Sequence, residues 1–372
     1  MSVVGVPTEI KNNEKRVAIQ PDGVAELVDA GHQVLIQAGA GVGSRFTDDE
    51  YAAVGAQIVA GADELHDRAE LILKVKEPLP EEYHRYREGH QLFTYLHLAA
   101  DRPLTEFLLE RKIDSIAYET VQTPDNRLPL LTPMSEVAGR FSIQAAARAL
   151  EIPAGGPGIL LGGVPGTPAA KVTIVGGGIS GTEAAKIALG MRATVRVFDK
   201  NPTRLAYLAD IFDGRVDLVV PNKARLAAYV AESDVIIGAV LVPGSATPKL
   251  VSREMIAAMR PGSVAVDIAI DQGGCFETSR PTTHSDPTYV EEGVTHYCVG
   301  NIPGAVARTS TLALTSATLP YVLDVAARGV RGAAADDPVL RRGLSTVNGR
   351  LTSEPVAHVH DLPYTPAENA LD

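Results

Sequence analysis

The sequence is poor in several features, and each scarcity excludes a class of protein. Its 372 residues include two cysteines, Cys275 and Cys298, and no tryptophan. Two cysteines provide neither a disulfide framework nor a zinc cluster. No apolar run reaches about 18 residues, and no secretory signal pattern opens the chain. We therefore expect a soluble, cytoplasmic protein that does not bind a membrane.

Positive charge is also scarce. The formal net charge is −11 at pH 7, and the acidic residues are spread along the chain. A negative surface argues against binding to nucleic acids and to anionic membranes. The rest of the composition is ordinary for a globular protein, with 45% hydrophobic and 21% charged residues. A single core of this length is unusual, so we expect two domains.

Strand-like and helix-like segments alternate along most of the chain. In the first part they are strands at 2–9, 32–39, 71–78 and 90–99 and helices at 21–31 and 103–112. Asp101 is placed to cap the second of these helices. Regular alternation is typical of parallel sheets wound with helices. The pattern predicts an α/β fold with two Rossmann-like, doubly wound domains.

A glycine-rich turn lies in the middle of the chain. "KVTIVGGGISGTEAA" (171–185) places Gly176, Gly178 and Gly181 in G-x-G-x-x-G spacing between an apolar strand and an alanine-rich helix. Such a turn lets a pyrophosphate approach the backbone and meet the amides of the helix N-terminus. Asp199 closes the next strand, where a carboxylate accepts hydrogen bonds from ribose hydroxyls and repels a 2′-phosphate. The pattern therefore predicts NAD rather than NADP, although the nearby Arg204 would soften that preference.

The position of this turn, about 170 residues into the chain, predicts an inserted domain. A long helical pattern at 134–152 precedes it and bridges the two domains. A helix at 305–328 then returns to the first domain, and the tail from about 330 wraps over the surface. We expect a discontinuous substrate domain of residues 1–130 and 305–372 and an NAD-binding domain of residues 131–304.

Titratable side chains lie at the ends of predicted strands, where ligands of open α/β sheets bind. His97 follows "LFTYL", on the same strand face as Tyr95, and an imidazole there suits proton transfer. A hydrogen-bonded structural histidine is the alternative. Asp271 ends "SVAVDIAID" at the mouth of the cofactor domain. Asp267 is the competing carboxylate, and its alternative role is that of a buried acceptor for loop amides.

Three cations are candidate anion ligands. Lys74 and Lys76 share one face of the predicted strand "LILKVKEP", because strand residues alternate. A solvated strand end suits one of the two lysines better than both. Arg16 precedes an apolar segment and can bind a carboxylate through two parallel hydrogen bonds, with a surface salt bridge as the alternative. Together these residues predict a dehydrogenase that uses NAD on a 2-amino or 2-hydroxy acid.

Blocks along essentially the whole chain resemble the alanine dehydrogenase/pyridine nucleotide transhydrogenase family, and they stand in the expected order. They include "GVPTEIKNNEKRVAIQPDGV", "KVKEP", "LHLAA", "AYETVQ", "PMSEVAGR", "LLGGVPG", "VDIAIDQGGCFE" and "NIPGAVARTSTLALTSATLPY". The resemblance implies oxidation of L-alanine by NAD to an imine, which water hydrolyses to pyruvate and ammonium. It also implies a homohexamer.

The resemblance also implies a role for each matching residue. Arg16 and Lys76 would bind the substrate, His97 would be the acid/base group, and Asp271 would assist proton transfer. The cofactor site would be lined, besides the three glycines, by Ser135, Ile179, Ser180, Asp199, Arg204, Val240, Leu241, Ile268, Arg280 and Asn301. The first domain would hold the substrate, and the glycine-turn domain would bring NAD and Asp271 across a closing cleft.

The chain departs from the family pattern at several positions. Gln20 and Asp29 replace a usual hydroxyl and a usual basic residue, and neither lies among the proposed proton-transfer groups. Arg192 and Pro221 replace a glycine and a polar residue near the adenosine side, where they would reshape NAD binding. Arg328 stands where some members carry a metal-binding histidine, so we expect no bound metal.

Three other functions compete with this interpretation. In the first alternative, the chain is the nucleotide-binding part of a transhydrogenase and passes hydride to a second nucleotide on a partner subunit. In the second alternative, the chain is a non-catalytic regulator that binds NAD. In the third, it is a 2-hydroxy-acid dehydrogenase. The joint presence of Arg16, Lys76, His97 and Asp271 favours the amino-acid dehydrogenase.

Overall fold

The computed structural model describes residues 1–240 and 247–371, which form two compact units. The first unit comprises Met1–Met134 together with the C-terminal part of the chain from Val306 onward, and the second comprises Ser135–Ala305. The first unit is therefore discontinuous in sequence. Each unit is built around one sheet.

The strands are short and most are rich in β-branched residues, as buried parallel strands usually are. In chain order they are β1 Val3–Val6, β2 Gln33–Gln37, β3 Gln57–Val59, β4 Leu71–Leu73, β5 Gln91–Thr94, β6 Asp114–Ala117, β7 Lys171–Val175, β8 Thr194–Phe198, β9 Asp217–Val219, β10 Val235–Gly238, β11 Val264–Asp267, β12 Thr288–Glu291, β13 Val294–Tyr297, β14 Leu344–Val347 and β15 Arg350–Leu351.

The helices connect these strands. In chain order they are α1 Pro21–Asp29, α2 Asp48–Ala53, α3 Ala62–Arg68, α4 Arg102–Glu110, α5 Thr132–Ala149, α6 Ile179–Gly190, α7 Pro202–Phe212, α8 Lys223–Ala231, α9 Arg253–Ala257, α10 Ala307–Asp336, α11 Pro338–Gly343, α12 Glu354–His360 and α13 Ala367–Leu371. Several begin at a side-chain cap; Asp101 accepts a hydrogen bond from the Leu104 amide as expected, and Asn201 and Asn222 do the same for α7 and α8.

The sheet of the first unit has the order β15-β14-β6-β5-β4-β1-β2-β3. The strands from β6 to β3 are parallel, and β14 and β15 extend the edge in antiparallel fashion. The chain winds from β1 outward to β3, then returns to the other side of β1 at β4. Loops leaving the carboxyl ends of β1 and β4 therefore diverge, which creates the crevice where ligands bind in such sheets.

The second unit repeats this winding. Its sheet has the order β12-β13-β11-β10-β7-β8-β9, parallel except for β12. Successive side chains along β10 alternate between two cores: Val235 and Ile237 pack on one face and Ile236 on the other. Both faces are covered, as a doubly wound sheet requires. The predicted α/β fold with two Rossmann-like units is confirmed.

The four strands predicted at 2–9, 32–39, 71–78 and 90–99 are all shorter than expected, and the predicted tail is wrong. β4 ends at Leu73 and β5 at Thr94, so Lys74 and Lys76 do not share a strand face and His97 lies beyond its strand. The chain after 330 does not simply wrap the surface, because the fully buried strand β14 pairs with β6. β14 is only "LSTV", and its short, half-polar sequence carries no strand signal strong enough to stand out.

Among the described residues, no helix is both long and apolar enough to cross a membrane. The longest helix, α10, bends at Gly329, whose φ of 71° and ψ of 165° are non-helical. The side-chain oxygen of Gln91 in β5 accepts the Val330 amide at this bend.

Two buried histidines predict that the first unit loses stability in acid. His66 and His90 are each 1% exposed, and burial lowers the pKa of both to about 4. An unfolded histidine titrates near 6.5, so the unfolded chain binds more protons between these values. We expect stability to be full above about pH 6.5 and to fall as pH drops toward 4, by at most about 3 kcal/mol for each histidine. The melting temperature followed from pH 7.5 to 4.5 measures this loss.

The control compares two histidine variants. His66→Gln removes one buried titrating group and should flatten the loss, whereas His84→Gln changes a histidine whose side chain is 63% exposed and should leave it unchanged. Equal pH dependence in both variants would show that other groups govern acid unfolding.

Candidate active site

The carboxyl ends of β1, β4 and β5 in the first unit carry a dense group of charged side chains. β4 lies between β1 and β5 in the sheet, so the segments that follow these three strands leave from the same edge. Those segments contain Arg16, Lys76 and His97, the three first-domain residues predicted from the sequence.

Arg16 is fully enclosed. It is 2% exposed, which excludes the surface salt bridge considered above. Its Nε and Nη2 donate to the two carboxylate oxygens of Glu14 at 2.7 and 2.6 Å, and its Nη1 lies 3.1 Å from Met134 Sδ. Burial alone would lower the pKa of Arg16, but the bonds and charge of Glu14 raise it. The guanidinium is therefore a permanent, rigidly held cation.

The two lysines have different surroundings. Lys74 has no exposed surface, and its Nζ lies 2.9 Å from Glu82 Oε1 and 3.2 Å from Glu9 Oε2. Lys76 is 8% exposed, and its backbone amide and that of Val75 donate to Glu9. A solvated strand end is thus wrong for both lysines. Lys74 serves a buried ion-pair network, which leaves Lys76 as the candidate for ligand binding.

His97 stands in an unusual backbone conformation. Its φ of 52° and ψ of 33° are left-handed, a region that a non-glycine residue occupies only when its surroundings hold it there. The carboxylate of Glu119 provides that hold, since it accepts the amides of Leu96 at 3.1 Å and His97 at 2.6 Å. The imidazole side chain is 44% exposed and stacks on Tyr95, with ring centroids 6.0 Å apart.

A further carboxylate contacts the histidine. Glu77 Oε2 lies 3.4 Å from His97 Nδ1, and Glu77 Oε1 pairs with Lys11. Burial works to raise the pKa of Glu77, but the hydrogen bond to His97 and the charges of Lys76 and Lys11 outweigh it and hold that pKa well below its usual range. Glu77 is therefore a carboxylate at neutral pH.

The glycine turn of the second unit joins β7 to α6 as predicted. Gly176 has a φ of 107°, and a Cβ there would lie 2.6 Å from the carbonyl oxygen of Ala239. Gly178 is the N-cap of α6, and no side chain caps this helix. Gly181 packs so closely that its Cβ would lie 1.8 Å from the carbonyl oxygen of Gly176. The uncapped amides at the start of α6 suit the phosphates of a dinucleotide.

Asp199 and Arg204 both support this turn. Asp199 Oδ2 accepts the Gly177 amide at 2.8 Å, and Oδ1 accepts the Asn201 amide at 2.8 Å. Arg204 donates to the carbonyl oxygens of Gly177 and Gly178 and to Thr182 Oγ1. Both residues therefore shape the backbone that would carry a cofactor, a role that their charges alone did not predict.

The two competing carboxylates at the end of β11, Asp267 and Asp271, differ in burial and in hydrogen bonding. Asp267 is fully buried and accepts the amides of Ala269, Cys275 and Phe276 and the hydroxyl of Ser279. Every acceptor position of Asp267 is used inside the protein, as its alternative role required. Asp271 instead lies in the 3₁₀ turn Ile268–Gln272, past the end of the strand.

Asp271 is exposed and remains accessible for chemistry. Its Oδ2 is 3.4 Å from the amide of Asn301, which has a left-handed φ of 64°. The carbonyl oxygen of Asn301 in turn lies 2.9 Å from His284 Nε2. Two predicted site residues, from the ends of β11 and β13, are thus brought together.

Four of the other predicted cofactor residues follow the carboxyl ends of strands in the second sheet: Ile179, Ser180, Val240 and Ile268. Ser180 Oγ donates to the carbonyl oxygen of Ser135 at 2.9 Å, and Ile179 begins α6 with 42% of its surface exposed. Val240 follows β10 beside Gly176, and Ile268 follows β11. The Arg280 guanidinium lies over the Tyr289 ring, 3.8 Å from its centroid.

Two further predictions concern the cofactor residue Leu241 and the absence of a bound metal. Leu241 lies outside the described residues. Within the described parts of the chain, no group of three or more His, Cys, Asp or Glu side chains is arranged to hold a metal ion. Arg328, at the position expected to lack a metal, forms ion pairs with Asp324 and Asp336.

Sequence reasoning missed the carboxylates that hold the cations and the histidine. They are Glu9, Glu14, Glu77, Glu82 and Glu119. Four of the five lie in or beside blocks that carried the resemblance, which was the available signal. Their partners were not predictable, because a glutamate alone does not indicate which distant cation or amide it will meet.

The fold and the two groups of residues define a class: a two-unit α/β protein with a glycine turn of the dinucleotide type in one unit and a group of buried cations beside a histidine in the other. Comparisons with known proteins narrow that class. Family models described as "Alanine dehydrogenase/PNT" match both parts of the chain, the N-terminal domain at residues 5–138 and the C-terminal domain at 142–354.

Individual proteins agree with the family models. A protein of Methanococcus maripaludis named alanine dehydrogenase is 59% identical over 371 residues, covering 100% of both chains. A solved structure titled L-alanine dehydrogenase is 51% identical with a TM-score of 0.93, covering 96% of this chain and 99% of its own. A transhydrogenase structure from Sinorhizobium meliloti is 25% identical with a TM-score of 0.80, covering 95% and 99%.

This chain belongs to the alanine dehydrogenase/pyridine nucleotide transhydrogenase family, whose members are pyridine nucleotide-dependent oxidoreductases.

Proposed function

We propose that the chain is an NAD-dependent L-alanine dehydrogenase that interconverts L-alanine with pyruvate and ammonium. The observation that carries the proposal is the group at the carboxyl edge of the first sheet, where a buried Arg16, Lys76 and an accessible His97 lie on adjoining segments. Its support from relatives is the 59% identity to a protein named alanine dehydrogenase, against 25% to a transhydrogenase.

Arg16 and Lys76 would bind the substrate. A guanidinium forms strong, charge-assisted hydrogen bonds to a carboxylate, so the buried Arg16 would bind the carboxylate of the substrate. Lys76 would bind the carbonyl oxygen of pyruvate and stabilise the charge that builds there.

His97 and Asp271 would move the protons. L-alanine, NAD⁺ and water yield pyruvate, ammonium, NADH and one proton. His97 would accept a proton as water attacks the imine carbon and return it as ammonia leaves. Asp271, an accessible carboxylate, would assist the attack of that water.

The second unit would hold NAD, which supplies the hydride acceptor when it is bound. The uncapped N-terminus of α6 would bind the pyrophosphate and Asp199 the adenosine ribose. The remaining lining would be Ser135, Ile179, Ser180, Arg204, Val240, Leu241, Ile268, Arg280 and Asn301. By family resemblance the protein would assemble as a homohexamer. It would be located in the cytoplasm.

The test is NADH formation by the purified protein with NAD and a panel of L-amino acids at alkaline pH, with lactate as a control substrate. Turnover of L-alanine with release of ammonium is the expected result. Turnover of lactate alone would indicate a 2-hydroxy-acid dehydrogenase. NAD binding without turnover would indicate a regulator, unless a transhydrogenase partner restored hydride transfer to an NADP analogue.

Replacement of Asp199 should relax the choice of cofactor. Asp199→Asn removes the charge that repels a 2′-phosphate but keeps an oxygen that can accept the Gly177 amide. Repulsion of about 1 kcal/mol or more is expected between such charges, so kcat/KM for NADP relative to NAD should rise roughly five- to tenfold. Steady-state kinetics with both cofactors measure the ratio.

Asp210→Asn is the matched control, since Asp210 is an exposed aspartate near the C-terminal end of α7. It should leave the ratio unchanged. If Asp199→Asn also leaves it unchanged, another group sets the preference.

A further inference from the structure

The buried carboxylate of Glu77 lies in the first unit beside the histidine to which the proposed function gives the proton transfer. Its side chain is 10% exposed, while that of His97 is 44% exposed. Glu77 Oε2 lies 3.4 Å from Nδ1 of the His97 ring, so this carboxylate contacts Nδ1 and not the other ring nitrogen, Nε2. Contacts at resting catalytic groups are often longer than in the reacting complex.

From this geometry we infer that Glu77 is a positioning residue, which fixes the imidazole of His97 with Nδ1 protonated and leaves Nε2 as the atom that exchanges protons with substrate. A neutral imidazole donates from one nitrogen and accepts at the other. A carboxylate at Nδ1 selects the form with the proton on that nitrogen and stabilises the imidazolium that forms during turnover. The inference rests on the proposed function and names how its acid/base group is held.

The surroundings of Glu77 support a fixed position. Oε1 pairs with Lys11 in the segment after β1, which leaves Oε2 directed to the imidazole. The Glu119 carboxylate fixes the backbone of the histidine by accepting two amides, those of Leu96 and His97. The ring is thus held at its backbone and at one nitrogen, by groups that come from two other segments of the chain.

The charged and titratable groups that face the pair are Lys11, Lys76, Tyr83, Tyr95 and Glu119. Burial and neighbouring carboxylates raise the pKa of Tyr83 to about 12, and burial raises that of Tyr95 further. Histidine is the side chain whose ordinary titration falls between pH 5 and 8. A change in the rate profile across that range that occurs in a Glu77 variant and not in its control is therefore assigned to the histidine that Glu77 contacts.

The experiment measures kcat/KM for L-alanine against pH in wild type, Glu77→Gln and Glu77→Asp. Loss of the negative charge makes the imidazolium less stable, so in Glu77→Gln the acidic limb should move to lower pH by about one unit. The plateau kcat should fall about tenfold, because the weaker base accepts protons less readily. Glu77→Asp should restore much of the profile, since it restores the charge.

Two controls separate this role from a structural one. Glu81→Gln makes the same chemical change four residues away on an exposed side chain and should leave the limb in place. Lys11→Met takes a cation away from Glu77 and should move the limb to higher pH or leave it, never to lower pH. If Glu77→Gln lowers kcat with the limb unmoved, or if Glu81→Gln shifts it equally, the inference is overturned.

A second readout does not depend on turnover. In ¹⁵N-histidine-labelled full-length enzyme without substrate, with His97→Gln used to assign the signal, the neutral form of His97 should carry its proton on Nδ1. Glu77→Leu should shift the population toward the Nε2-protonated form. An Nε2-protonated His97 in wild type would overturn the inference, whereas absence of alanine turnover in wild type would overturn only the proposed function.

Discussion

His97→Ala should lower kcat for alanine oxidation by a factor on the order of 10² to 10⁴, the usual contribution of a positioned acid/base group. NAD affinity should change little, because the groups proposed to hold the pyrophosphate and the adenosine ribose, the N-terminus of α6 and Asp199, do not include His97. The left-handed backbone at His97 supports the expected loss in kcat. Such conformations persist where the surroundings hold them, and they are common at functional sites. Steady-state kinetics and an NAD titration by fluorescence measure the two quantities.

His84→Ala is the matched control, because His84 is an exposed histidine of the same unit, with 63% of its side chain accessible. It should leave kcat within about twofold. A His97→Ala enzyme that keeps near-normal turnover would remove this residue from the chemistry and favour the structural histidine considered from the sequence.

Gly181→Ala should have the largest effect on the second unit. The new Cβ would lie 1.8 Å from the Gly176 carbonyl oxygen and 3.3 Å from Ile174 Cγ2, and the first contact involves backbone that has no rotamer to change. Helix α6 must then move away from β7. We expect a loss of about 3 kcal/mol in stability and on the order of a hundredfold in kcat/KM for NAD. Thermal melting and cofactor kinetics measure both.

Gly190→Ala is the matched control on the same helix. A Cβ at Gly190 meets nothing within 4 Å, and its φ lies outside the left-handed region, so this change should be neutral or slightly stabilising. Equal behaviour of the two variants would mean that α6 does not need its close approach to the turn.

The local pattern of the sequence determined the fold class and the position of the glycine turn. Alternating strand and helix segments require parallel sheets, and the spacing of Gly176, Gly178 and Gly181 reports a tight turn because these constraints act within a few residues. The same locality explains the correct cap at Asp101, which bonds an amide three residues away. It also explains why four residues were candidates, since Lys76, His97 and Asp271 lie near the ends of predicted strands and Arg16 directly precedes an apolar segment.

Only the tertiary structure decided how those candidates are held and which competitors are excluded. Lys74 is excluded because Glu9, 65 positions earlier in the chain, and Glu82 enclose it. Asp267 is excluded because loop amides and Ser279 fill its acceptor positions.

The same dependence on distant partners governs the ends of the strands and the carboxylates of the site. β4 stops at Leu73 and β14 joins the sheet because of pairing with neighbours elsewhere in the chain. Glu77 reaches His97 across 20 positions. The partners of charged side chains and the ends of strands depend on contacts between residues far apart in the sequence, which a local pattern does not predict. Turns, helix caps and hydrophobic periodicity depend on residues only a few positions apart, so the sequence predicts them.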